Sequence, residues 1–476
     1  MDQIKNEYLN AKSIHIFECT FVYGDKEKKE KRKTKKKIEK EEIIQNIEHN
    51  GWKRKILKID RTVDKGKIDK DVYMLENYFS KEALDVFVSD KKECDVYYFP
   101  LNSEYEYMYS IEKNGIVYDL KIKELELHLY NTGIGELFIK TINTNSNLDV
   151  EDIKNINDYG RRMFLPFYPD DMKYSICADR ISVVVKNKEN NIKHFNLDFL
   201  ENPMANGYDA IVKNIINGRL DNTYDTKELD FEPIADDRLF VISMIRDEEL
   251  SENIAKQAWY EDYGNRDLLY SLFYVDPDET TCQSDDMRES MLKQSVYDRW
   301  LKYGTIYGIT DYSLIGITTE RMYVNDLVIK PFWIEYLYMV SLVIAQKESI
   351  GLFSEKAGKL AKSVNEIKKL RSIFCNKERE INELNTTYIE FINRVLILKF
   401  TNQQQGKEMY AIAQKQLNVL SQKKYVEEEL NGLYKIASVG IKIKHEIINR
   451  VIELGLSIGI YEVVFKIIKL IIDWFN

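Results

Sequence analysis

Two arginines in succession, Arg161 and Arg162, close the run Asn157-Asp158-Tyr159-Gly160-Arg161-Arg162. Planar guanidiniums grip phosphate or carboxylate through paired N–H donors, which a lysine does less well. With Asn157 and Asp158 they form the first candidate anion contact. The competing reading is structural, with both arginines in salt bridges to acidic residues at a subunit junction. Asn131 belongs to a second candidate, Asn131-Thr132-Gly133-Ile134-Gly135, where small residues bring backbone N–H groups together and such turns can approach a phosphate. That turn lacks the lysine of a phosphate-binding loop and the spacing of a dinucleotide fingerprint. Its competing reading is a hairpin turn.

Other chemistries have no constellation to run on. The histidines, His15, His49, His128, His194 and His445, show no H-x-x-x-H or H-E-x-x-H pairing. There is no G-x-S-x-G elbow and no cysteine beside a recognisable base, so no enzyme class is indicated. Acidic pairs such as Asp285-Asp286 either coordinate magnesium through oxygen or form a solvated surface. Tyr97, Tyr98, Tyr105, Tyr107 and Tyr109 recur at strand spacing, a face that can stack an adenine or pack a sheet against helices. Cys19, Cys94, Cys177, Cys282 and Cys375 are widely dispersed, as expected of reduced thiols in a cytosolic compartment. The polar N-terminus, Met1 to Lys12, has no apolar secretory core.

A net charge of −9 argues against attraction of the whole chain to nucleic acid. The charge is uneven, because Lys26 to Lys37 holds nine basic residues against Glu27 and Glu30. Such a run is either a solvated segment or a contact for anionic lipid or nucleic acid.

Short β-branched or aromatic runs separated by polar turns predict strands at Ser13 to Tyr23, Cys94 to Phe99, Ile116 to Ile122, Leu125 to Tyr130, Gly135 to Ile142, Ile181 to Val185 and Leu239 to Ile245. Asp149 is the expected N-cap of a helix ending at Gly160. This half reads as an α/β or α+β sensor-like domain over residues 1–284. A connector over 285–330 follows, with a helix at Met287 to Tyr303 and two short strands or an ordered turn at Tyr303 to Thr318.

Pro331 is expected in the first turn of a long helix, where its missing N–H is harmless. A single rod over the remaining residues would be about 218 Å long at 1.5 Å per residue. The helical stalk, 331–448, must therefore break or fold back near Lys399 to Gly406 and near Gly432 to Gly440. Ile381, Leu384, Tyr388, Phe391, Val395 and Leu398 make a seam for another helix, either between subunits as a coiled coil or inside one chain.

The last segment, 449–476, is hydrophobic and amphipathic. It has the length of a membrane span, but Glu462, Lys466 and Lys469 interrupt it. At roughly +2.5 to +3.5 kcal/mol for a central Lys, those charges outweigh the roughly −0.3 to −0.6 of each Ile or Leu. Glu453, Glu462, Lys466, Lys469 and Asp473 are thus candidate pore or oligomer-interface residues, and partners must shelter the helix.

The run Asn131 to Phe167, with Tyr303 to Thr318, Tyr336 to Gly351 and Tyr388 to Tyr410, resembles the divergent relatives of CorA-type magnesium transporters. So does the order of an α/β domain, a long helix and a hydrophobic C-terminus. The resemblance implies a funnel-shaped homopentamer with its C-terminus in the inner membrane of a bacterium and its other domains in the cytoplasm. The family's Gly-Met-Asn triplet is missing here, which implies a scaffold without the magnesium filter. Some relatives encoded beside type III CRISPR systems resemble effectors switched by a nucleotide second messenger. The resemblance therefore implies a ligand-gated channel or effector in antiviral defence, with magnesium or a small nucleotide as candidate ligand and no direct nucleic-acid partner. A soluble ligand-binding oligomer on the same scaffold is the alternative.

Overall fold

Alternating β-branched and aromatic residues make Ser13–Tyr23 a strand, β1, and it lies at the centre of a mixed sheet. The computed structural model describes residues 7–23, 40–62, 68–168, 170–172, 175–188, 192–220, 226–229, 231–234, 236–256, 258–276, 281–366 and 377–458. Short strands β2 (Lys53–Arg54) and β3 (Cys94–Tyr98) flank the main path, which uses β4 (Glu106–Lys113), β5 (Ile116–Tyr130), β6 (Ile134–Asn143), β7 (Arg180–Lys186) and β8 (Ile192–Asp198). After them come β9 (Phe231–Pro233), β10 (Phe240–Arg246), β11 (Val296–Tyr297), β12 (Ile306–Ile309) and β13 (Ser313–Thr318). The order is β11-β12-β13-β10-β1-β6-β5-β4-β7-β8, with β2 on β3, β3 on β5 and β9 on β1. Only β10 and β13 run parallel among these described pairs.

The helices used below are α1 (Lys70–Tyr78), α2 (Lys81–Phe87), α3 (Val150–Arg161), α4 (Tyr263–Phe273), α5 (Asp285–Ser295), α6 (Leu337–Glu366), α7 (Lys377–Arg394), α8 (Gln404–Gln416) and α9 (Val419–Ile458). Asp149 caps α3 as expected, in a reciprocal pair with Asp152. A mixed sheet with abundant helix is compatible with the α/β or α+β class anticipated.

Several expected boundaries move. Ile116–Tyr130 is one strand with a bulge between Ile122 and Glu124, not two. Gly160 does not end α3, which continues to Arg161. A Cβ at Gly160 would lie 2.6 Å from the Phe17 ring and 2.8 Å from Ile111, so close packing, not a turn, requires glycine here. The helix expected at Met287 to Tyr303 stops at Ser295, because the chain joins the sheet as β11. Pro331 is not in a first turn. Wide π-type turns at Asn325–Ile329 and Phe332–Tyr336 flank it, and their shifted hydrogen bonds accommodate a proline within the helix leading into α6. The chain does break between α7 and α8, but Gly432 to Gly440 lies inside the uninterrupted α9.

The chain divides into two compact units. One compact unit comprises the chain to Ala345 together with Leu398–Leu417; the other comprises Gln346–Ile397 and the chain from Asn418. β11, β12 and β13, all within 285–330, complete the first unit's sheet. Within the second unit, Ile381, Leu384, Tyr388, Phe391 and Val395 bury inside one chain, and Phe353 meets the rings of Tyr388 and Phe391 at 5.2 and 5.4 Å. The seam is thus used intramolecularly. Leu398 leaves it, 80% exposed in the first unit.

Among the described residues one helix is long and apolar enough to cross a membrane, Asn325–Lys362, and most of its apolar window is buried inside the chain. Core helices pass the same test. Glu453 is exposed on α9. Glu462, Lys466, Lys469, Asp473 and the basic run Lys26 to Lys37 lie outside the described residues.

Candidate functional site

The anticipated anion contacts are satisfied from within. Asn157 Oδ1 lies 2.7 Å from His15 Nδ1, in a pocket so dry that burial pulls the His15 pKa down to about 4. Asp158 receives Arg161 at 3.2 Å and Arg162 at 2.9 Å, and Arg162 also reaches Asp237 at 3.2 Å. Arg238 pairs with Asp236 and Asp237, so three guanidiniums face three carboxylates. Arg161 is only 2% exposed and donates to the carbonyl of Val275, a residue held at φ +51°. Burial lowers its pKa to about 10 despite Asp158. These residues fasten α3 to the start of β10, where Met163 N–H donates to Asp237 and Leu239 N–H to Arg161.

Asn131 sits apart from them. It occupies the β5–β6 hairpin turn, completed by Gly133 at φ +95°, and bonds Glu93, the Lys92 carbonyl and Lys40. Asp285 begins α5 and pairs with Arg288. No metal-holding group of three or more His, Cys, Asp or Glu occurs among the described residues. Tyr97 and Tyr109 are buried, and Tyr109 stacks on Phe17, so they pack the sheet.

A different cluster stands out. Period-two alternation puts Leu125, Leu127 and Leu129 of β5 in the apolar core with Phe17, Leu137 and Ile139. The other face of β5 carries Glu124, Glu126, His128 and Tyr130. Register sets His128 opposite Glu136 and Glu124 opposite Lys140 of β6. Above this polar ladder lie Phe87 of α2 and Tyr338 and Ser341 of α6, with the Tyr338 and His128 rings 5.0 Å apart.

Ser341 Oγ is the hub. It stands 2.7 Å from His128 Nδ1, 2.7 Å from Tyr130 OH, and donates to Glu136 Oε2. His128 Nε2 is 2.8 Å from Glu126 Oε1. Lys55 reaches Glu126 at 2.8 Å and Glu124 at 3.2 Å, while Lys140 reaches Glu124 at 2.9 Å beneath the Trp333 ring. Burial alone would raise the Glu126 pKa, but Lys55, Lys140 and the His128 hydrogen bond outweigh it and hold the carboxyl well below its ordinary range. Burial pulls His128 down, with Glu126 opposing. Burial also works against the Lys55 cation, but Glu124 and Glu126 prevail and push its pKa well up.

Serine, histidine and glutamate are the residue types of an acyl-transfer triad, in which the ring nitrogen facing the nucleophile is Nε2. Here it is Nδ1, and Ser341, His128, Glu126 and Glu136 are all fully buried. No substrate reaches the Oγ in this arrangement, which is built to bind a helix to a sheet. Sequence reading passed over the cluster, although the alternation Glu124, Glu126, His128, Tyr130 marks a polar strand face. No protein-family model, no curated protein and no solved structure matches the chain.

Proposed function

We propose that the chain is a ligand-responsive oligomeric membrane effector on a CorA-like scaffold, without the magnesium-selectivity triplet, in which the sheet-bearing unit senses and the helical unit responds. One observation carries this reading: α6 is a single helix whose Ser341 is bonded to the sheet and whose turns from Gln346 onward belong to the second unit. A ligand that favours one arrangement of the sheet's polar face shifts the population of helix positions by its differential affinity. The candidate ligands are magnesium and a small nucleotide. Glu453, Glu462, Lys466, Lys469 and Asp473 then pair between subunits or face a wet lumen, where their insertion cost falls. The net charge of −9 disfavours nucleic acid as partner.

Membrane fractionation of the intact chain against a chain truncated after Asn449 tests the reading. The intact chain is expected with the membranes and the truncated one in the supernatant. Equal solubility of both without detergent overturns it.

A second reading, a soluble oligomeric ligand-binding module, draws on the burial of the apolar window of Asn325–Lys362 within the chain. A monodisperse oligomer purified without detergent supports that one.

A further inference from the structure

Four close contacts meet at Ser341 and His128: Nε2 to Glu126, Nδ1 to Ser341, Tyr130 OH to Ser341, and Ser341 to Glu136. Each needs one hydrogen between its heavy atoms. With both glutamates ionised and the imidazole neutral, the groups supply three, one each from serine, tyrosine and histidine. One contact is then left with lone pairs opposed, in a site that water does not reach. A single proton taken from solvent fills all four. Placed on Glu136, it points at Ser341 Oγ, the serine donates to Nδ1, and Nε2–H donates to Glu126. Placed on His128, both ring nitrogens donate and the serine donates to Glu136. The two patterns interconvert by shifting hydrogens along one chain of bonds.

We propose that Glu136, Ser341 and His128 share one such proton, and that it latches α6 to the sheet. The charged groups facing them are Glu124 and Glu126 on β5, Lys140 on β6 and Lys55 beyond β2. Both lysines point at Glu124 and Glu126, which keeps Glu126 a carboxylate acceptor. Glu136 acts on His128 at 3.7 Å, on Tyr130 and on Cys94 of β3, while Asp95 beside it is held by Lys40 and Arg54. From the helices come the ring of Phe87 and the hydroxyl-bearing Tyr338 and Ser341. The latch concerns only the tie between sheet and helix, so membrane fractionation does not bear on it.

In the unfolded chain a histidine releases its proton near pH 6.5 and a glutamate near 4.3. A folded network that keeps one proton above pH 6.5 binds more than the unfolded chain does. Stability then falls as pH rises, by about tenfold in the folding constant per pH unit, until the shared proton leaves. Glu136→Gln supplies a permanent N–H donor in place of that proton. The test is urea unfolding of the full chain from pH 6.5 to 9, wild type against Glu136→Gln. The expected result is a wild-type folding constant that falls by up to about tenfold more per pH unit than that of the variant; parallel profiles overturn the proposal. Should the variant not fold, infrared spectra of the wild type at pH 8.5, with isotope-labelled glutamate and histidine, decide. A protonated carboxyl or imidazolium band supports the shared proton, and the lack of both overturns it.

Discussion

Nδ1 of His128 stands 2.7 Å from Oγ of Ser341, across 213 residues of chain. That contact joins the C-terminal end of β5 to the second turn of α6, and it is the centre of a polar cluster sealed between a sheet and its covering helix. A hydroxyl with so many dependants is costly to lose.

Ser341→Ala removes the hub and leaves His128, Tyr130 and Glu136 facing a methyl group. An unmade bond to a buried polar group costs about 1–3 kcal/mol. Urea unfolding is expected to lose at least that much. A midpoint equal to that of the wild type means the contact does not hold α6.

Asp158→Asn leaves the buried Arg161 guanidinium beside a neutral amide. Breaking a buried ion pair from one side costs about 3–5 kcal/mol. Lys91→Gln, exposed in the turn between α2 and β3, is expected within about 0.5 kcal/mol of wild type and is the control. Thermal unfolding of the two variants should rank them clearly.

Burial pushes the carboxyl of Glu335, on the π-type turn before α6, up to about 7. A carboxyl raised in the folded state binds more protons there than in the unfolded chain. Its contribution is therefore lost as pH rises from about 4.5 through 7, a penalty of about 3 kcal/mol above that window. Glu335→Gln should stabilise the chain at pH 8 and change little at pH 4. Stability curves that stay parallel across this range would show the carboxyl is not desolvated.

Gly160→Ala tests close packing against helix propensity. Alanine gains about 1 kcal/mol within a helix, whereas overpacking a core costs about 1–3 kcal/mol. Phe17 and Ile111 are fully buried and have nowhere to move. A net loss of about 1 kcal/mol is expected by chemical denaturation, and a gain would mean that the core relaxes around the new methyl.

Much of the fold is legible in local pattern. Short β-branched and aromatic runs located β1, β3, β6, β7 and β10 to within a residue or so, because such side chains fit the pleated surface of a strand. Asp149 announced the start of α3, since its carboxylate and that of Asp152 satisfy local N–H groups. Arg161 and Arg162 showed an appetite for oxygen anions, but whether Asp158, Asp237 or a ligand would supply them depends on which segments meet.

Composition and spacing by themselves determined that an α/β or α+β half precedes long helices, because propensity and hydrophobic period act over a few residues. Tertiary structure alone decided that Ser341 would sit over His128, that Pro331 would lie within a helix between wide turns, and that the Ile381 to Val395 seam would close inside one chain. Each of those outcomes pairs groups far apart in sequence. Burial, which removes competing water, fixes their partners only after the sheet and its helices have come together.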